Sequence, residues 1–142
     1  MSGFLVDTNV VSELTKPVPS VQIETFLRQA KDRVHTSVLS IGEIRKGIGT
    51  LATGRRRAVL EDWLELEIIL WFGERILPIT LDIAERWGAL AARQNAKGRT
   101  RPVVDALLAA TALQHDLTIV TRNVKDYDGL DIPIVNPWVA EP

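Results

Sequence analysis

An α/β fold with a central parallel sheet flanked by helices is what this chain predicts. Short apolar runs alternate with helix-length amphipathic segments from one end of the sequence to the other. The first run, Phe4-Leu5-Val6, carries no polar alternation, as expected of a strand covered on both faces. The last run, Ile132-Pro133-Ile134-Val135, contains a proline, which places that strand at a sheet edge. Between them the pattern leaves room for about five strands, and for one domain across all 142 residues.

In order, the strand ending at Val6 is followed by a short helix to about Leu14, closed by Lys16-Pro17-Val18-Pro19. Ser20 is the expected N-cap of a second helix running to about Lys31. Val34-His35-Thr36 reads as strand two and leads into a helix over about 38–51. Gly54 breaks that helix, and its hairpin partner is expected over about 55–70. Ile76-Leu77-Pro78-Ile79 is strand three, and Thr80 or Asp82 starts a helix with Ala84, Trp87, Gly88 and Ala91 on one apolar face. After Gly98 a nearly all-apolar helix spans about 103–115, and Leu117-Thr118-Ile119-Val120 is strand four.

Composition narrows the chemistry. There is no cysteine, so disulfides, thiolate metal sites and a cysteine nucleophile are excluded. His35 and His115 are the only imidazoles, and their spacing is not that of a metal pair, so any metal would be held by oxygen. The net charge of −1 neither demands nor forbids a nucleic-acid partner. Charge is nevertheless clustered: Arg55-Arg56-Arg57 and the set Arg93, Lys97, Arg99, Arg101 are basic, while Glu61, Asp62, Glu65 and Glu67 form an acidic face. No secretory leader and no membrane-length apolar stretch is visible, so a cytoplasmic protein without membrane association is expected.

The informative residues are carboxylates. In right-handed βαβ units, helix N-termini and strand C-termini share one sheet edge, which is where open α/β folds bind ligands. Asp7 follows strand one, Glu43 lies in the second turn of the helix after strand two, and Asp105 lies in the first turn of the helix leading to strand four. Asn123 and Asp126 follow strand four. Each has an ordinary reading of its own: Asp7 as an N-cap, Asp105 as a dipole partner, Glu43 as solvated surface, Asp126 as a turn residue. Together they form a constellation. Leu108 and Ala109, one turn on from Asp105, and Leu39 and Gly47, at i−4 and i+4 of Glu43, offer no cation, and partly buried carboxylates without local cations repel one another unless protons or a cation neutralise them. A hard divalent ion answers that need.

Four ordered segments carry a resemblance. Asp7-Thr8-Asn9-Val10-Val11-Ser12, Ser37-Val38-Leu39-Ser40-Ile41-Gly42-Glu43, Asp105 through Thr111-Ala112, and Thr121-Arg122-Asn123-Val124-Lys125-Asp126-Tyr127, with the closing Asn136-Pro137-Trp138, resemble PIN-domain ribonucleases. The likeness is to VapC toxins of the FitB-like branch. It implies a three-layer fold and an endoribonuclease dependent on Mg²⁺ or Mn²⁺, with Asp7, Glu43 and Asp105 as metal ligands. Asn123 and Asp126 complete the implied catalytic set. Asn123 departs from the aspartate usual at the fourth acidic position, and Asp126 is the candidate to supply the missing charge. The resemblance also implies homodimerisation, for which Trp63 and Trp71 offer apolar surface, and a VapB-like antitoxin encoded beside the gene. RNA would be the substrate, and DNA would be met only through the antitoxin. Arg93, Lys97, Arg99, Arg101 and Arg122 are the expected basic rim. Two rival readings are a haloacid-dehalogenase-like phosphatase, which also begins with an aspartate after strand one, and a PIN-like binding module weakened at Asn123.

Overall fold

A computed structural model describes residues 3–139. Five parallel strands form one sheet in the order β3-β2-β1-β4-β5: β1 Phe4–Val6, β2 Val34–Ser37, β3 Ile76–Leu77, β4 Thr118–Val120 and β5 Ile134–Val135. The helices are α1 Thr8–Glu13, α2 Val21–Ala30, α3 Val38–Gly49, α4 Arg55–Trp63, α5 Ile69–Phe72, α6 Leu81–Ala96 and α7 Val103–His115. Among the described residues, no helix is long and apolar enough to cross a membrane.

The strands read as continuous apolar runs because alternate residues feed two different cores. Val6 and Val120 point into a cluster built with Val10, Val11, Ile23, Ile44, Leu64 and Phe72. Leu5 and Ile119, their neighbours in sequence, point the other way, onto Leu90, Leu108, Ala109 and Ala112. Leu5, Val6, Ile119 and Val120 are all buried, so neither face needs a polar residue. α7 lies between the sheet and α6, which accounts for a helix apolar nearly all round.

β3 stops at Leu77, short of the expected Ile79, because Pro78 has no N–H to offer the ladder. β5 begins only at Ile134, and it lies at the edge as its proline predicts. The hairpin partner of α3 differs most. It continues to Phe72, but Leu64–Ile68 is wound as a π-helix between α4 and α5. Within it Leu64 and Ile68, four residues apart, face the core, and Leu66 on the opposite side is 64% exposed.

Arg75 ties this long limb to the rest. Its Nη1 donates to the carbonyls of Lys31 at 2.8 Å and Val34 at 2.6 Å, and its Nη2 donates to the Trp71 carbonyl at 2.5 Å. The guanidinium also lies over the Trp71 ring, 4.5 Å from its centroid. One planar cation thus serves carbonyls from the end of α2, from β2 and from α5. Arg75→Lys is expected to lower stability by about 1–3 kcal/mol in urea unfolding, since an ammonium cannot present the same planar fork to all three.

Candidate active site

The strand order reverses between β1 and β4, and the crevice beyond their carboxyl ends is where an open α/β sheet places its ligands. Asp7 leaves β1 into that crevice with its backbone N–H still bonded to the Val120 carbonyl at 2.9 Å. Its side chain is buried, and the protein holds both oxygens. Oδ1 accepts the Thr8 N–H at 2.7 Å, so the ordinary N-cap reading of Asp7 holds alongside the functional one. Oδ2 accepts the Thr121 hydroxyl at 2.9 Å and the Tyr127 phenol at 3.0 Å.

Behind this carboxylate lies a polar frame joining the ends of β1 and β4. The Asn9 amide donates to Thr121 Oγ1 at 3.1 Å and accepts the Arg122 N–H at 3.2 Å. The Asn123 N–H also reaches Thr121 Oγ1, at 3.1 Å. Thr8 turns outward and donates its hydroxyl to Glu43 Oε1 at 2.7 Å. The three residues of Asp7-Thr8-Asn9 therefore act separately. Asp7 presents charge, Thr8 aims Glu43, and Asn9 fixes the loop after β4.

The other carboxylates gather as the sequence predicts, with two corrections. Asp105, in the first turn of α7, is half-buried. Its pKa is pushed from the ordinary 3.8 up to about 6, first by burial and then by the charges of Asp126, Asp7 and Glu43. That Asp126 leads the charged neighbours supports it over Asn123 as the source of the fourth negative charge. The first correction is that a cation does oppose this shift: Arg101, outside the helix and so invisible to helical spacing. The second is that Glu43 is exposed, held by its Thr8 bond and not by burial. Asn123 is exposed and caps the 3₁₀ turn Val124–Tyr127, and its side chain lies among Arg122, Lys125 and Asn136.

Residues without formal charge at neutral pH complete the site and gave no signal in the sequence. Tyr127 is 1% exposed, and burial followed by the charges of Asp7 and Asp105 raises its pKa, so the phenol stays protonated as a donor to Asp7. Arg101 of the expected basic rim has structural duties: it donates to the Asp126 carbonyl at 2.7 Å, to the Asp128 carbonyl and to Gln94. It pins the Val124–Tyr127 turn against α6.

A second feature adjoins α1. A cleft of ≈ 650 Å³ is lined by Val11, Leu14, Leu27, Trp63, Ile68 and Trp71, with Arg28 and Glu67 among its polar margins. The short helix after Asp7, the second limb of the hairpin and α2 form its walls. Trp63 and Trp71, expected to offer a dimer surface, line this cleft.

A family profile described as PIN domain matches residues 4–128. The chain belongs to the PIN-domain family. It is 33% identical to the toxin FitB of Neisseria gonorrhoeae over 95% of this chain and 98% of FitB. It is 30% identical to VapC ribonuclease Y4jK of Sinorhizobium fredii over 95% of this chain and 97% of that one. Among solved structures it is similar to FitAB bound to a DNA fragment, with a TM-score of 0.90 at 31% identity and 98% of both chains covered. Membership disfavours the phosphatase reading, and the geometry agrees: that chemistry wants an acid where this PIN domain has Asn9, whose amide is committed to Thr121 and Arg122.

The raised Asp105 has a consequence for stability. Between about pH 4 and pH 6 the folded PIN domain keeps a proton that the unfolded chain has already lost, so stability falls as pH rises through that window. Asp105→Asn removes the repulsion. The variant should melt roughly 2–4 °C higher than wild type above about pH 7, an effect kept small by solvent screening, and the gap should close below about pH 4. Thermal melts across pH read this directly.

Proposed function

We propose that this PIN domain is a metal-dependent endoribonuclease that hydrolyses RNA phosphodiester bonds, and that it serves as the toxin of a VapBC-type pair. One observation carries the reading. Asp126, Asp7 and Glu43 all act on the half-buried Asp105, so four carboxylates from separate segments share one field at the carboxyl edge of the sheet. The ribonuclease and toxin names of its relatives point the same way.

The donor set suits a hard divalent ion, Mg²⁺ or Mn²⁺. It is all oxygen, and it repels itself when nothing neutralises it. Among the described residues no three acidic or imidazole groups close into a ready-made cage. Mg²⁺ commonly takes one or two carboxylates directly and keeps waters for its remaining positions, so part of the acidic set would act through bound water. Asp7, Glu43 and Asp105 would hold the ion, with Asp126 adding charge and Asn123 an amide. Bound there, the ion supplies a lowered pKa for an attacking water and charge neutralisation at the scissile phosphate.

The protein's part is orientation. Thr121 and Tyr127 fix the inner oxygen of Asp7, and Thr8 fixes Glu43, so these carboxylates need little reordering when the ion and RNA arrive. Asp105 is the acid most in need of a counter-charge. Asp7→Asn and Asp105→Asn change charge with little change of volume, and each should cut Mn²⁺-stimulated RNA cleavage by at least about 100-fold. Cleavage that persists in both variants, or in wild type with EDTA, would sink the metal-nuclease reading.

The toxin reading includes a VapB-like antitoxin from an adjacent gene, as the FitAB and VapBC complexes among similar structures suggest. An apolar segment of that partner would occupy the cleft beside α1 and send an Arg or Lys toward Asp7, Glu43 and Asp105, matching carboxylates and excluding the metal. DNA would be reached only through the partner, and the chain would act as a homodimer. Trp71 is 41% exposed and lines the cleft, and since its ring also supports Arg75 its loss should cost some stability without abolishing the fold. In calorimetric titration, Trp71→Ala should weaken partner binding by about 2–4 kcal/mol while the free chain cleaves RNA as before. A partner that binds at saturation without stopping cleavage would refute the blocking mechanism and leave the enzyme assignment standing.

A further inference from the structure

Next to the carboxylates lies a second recess, which shares Asn123 and Asp126 with the proposed metal chemistry but carries two cations that chemistry does not use. It has a volume of ≈ 450 Å³ and is lined by Arg122, Asn123, Val124, Lys125, Asp126 and Asn136. We propose that this recess is a phosphate subsite, in which Arg122 and Lys125 hold a backbone phosphate of single-stranded RNA next to the scissile linkage. The proposal rests on the ribonuclease reading and adds to it where the substrate strand runs.

Three observations support it. The recess adjoins the acidic centre through a shared residue: Asp126 lines it and is also the charged neighbour that acts most strongly on Asp105. Under the proposal, a strand whose scissile phosphate sits at the acidic centre would bring a neighbouring phosphate to Arg122 and Lys125.

The charge also fits. An acidic centre repels a polyanion, so cations close to it are needed to hold the strand. Arg101, the cation acting on Asp105, commits its donors to the Asp126 and Asp128 carbonyls and to Gln94. Among the described residues neither Arg122 nor Lys125 forms an ion pair. Glu13 feels the charge of Arg122, but its carboxylate is taken by Lys16 Nζ at 2.9 Å and by the Ser20 N–H at 2.9 Å.

The frame is fixed as well. The Arg122 N–H is bonded to Asn9 and the Asn123 N–H to Thr121, so the frame that holds Asp7 also holds this recess. The Arg122 guanidinium rests over the Trp138 ring, 5.2 Å from its centroid, and Trp138 is oriented by a bond from its N–H to Asn136 Oδ1 at 3.0 Å. A cation supported on an aromatic face loses less freedom on meeting a phosphate.

The test uses the full chain carrying Asp105→Asn, so that RNA is bound and not cut, with a fluorescein-labelled randomised single-stranded RNA and Mg²⁺. Adding Arg122→Gln and Lys125→Gln together should weaken binding about tenfold, evenly across sequences, and flatten the log–log salt dependence by roughly 0.7 for each cation lost. Arg56→Gln, an exposed cation on α4, should leave affinity and slope unchanged. With Asp105 restored, the double variant should show a raised KM for cleavage and a nearly unaltered kcat. If wild type cleaves RNA and the double variant binds and cleaves as wild type does, the subsite is refuted and the nuclease stands. An equal loss in Arg56→Gln would mean diffuse electrostatics and would also refute it. A wild-type chain that cleaves no RNA with Mg²⁺ or Mn²⁺ overturns the nuclease reading and the subsite with it.

Discussion

The Asp7 carboxylate is the point on which the rest of this structure hangs. A carboxylate that is only 8% exposed needs partners for its lone pairs, and here they come from both sides of the topological switch: Thr8 at the start of α1, Thr121 at the end of β4, and Tyr127 one short turn later. Those bonds hold the ends of β1 and β4 in register beyond their last ladder positions. They also leave the carboxylate no free protein donor with which to meet other charges. Asp105, Glu43 and Asp126 thus approach a fixed anion, and the field they share is a property of the fold.

That field explains the division of labour among nearby cations. Arg101 lies close enough to lower the pKa of Asp105, yet its donors go to backbone carbonyls and to Gln94. It pins the turn that carries Asp126 and Tyr127, which keeps the acidic centre compact without neutralising it. A centre fully satisfied by its own arginines would bind a metal weakly. Here compensation is partial, and the half-buried Asp105, with its pKa raised to about 6, registers the shortfall.

The sequence made the acids legible and their supports illegible, for one physical reason. Asp7 after an apolar run and Asp105 inside an apolar helix stand out because charge in such surroundings is costly and local. Thr8, Thr121 and Tyr127 act through single hydrogen bonds to residues up to 120 positions away, and no local periodicity encodes such a pairing. The fold followed the same rule. Apolar runs located all five strands and the proline put β5 at the edge, whereas the widened turn at Leu64–Ile68 left no mark in the apolar spacing, because Leu64 and Ile68 share a face in an ordinary α-helix too. The bonds of Arg101 to the Asp126 and Asp128 carbonyls and to Gln94 were illegible because those segments meet only in the folded chain.

The widened turn bears on function through the cleft it helps to shape. Leu64 and Ile68 face inward, and Trp63, Trp71 and Phe72 line the cleft together with Val11 of α1 and Leu14, the C-cap of that helix. Arg75 fastens the far end of that wall to the end of α2 and to β2. Since α1 is the helix that Asp7 caps, a ligand pressing on Val11 or Leu14 bears on the element next to the acidic centre. Binding at the cleft and chemistry at the rim therefore share one six-residue helix as their common wall.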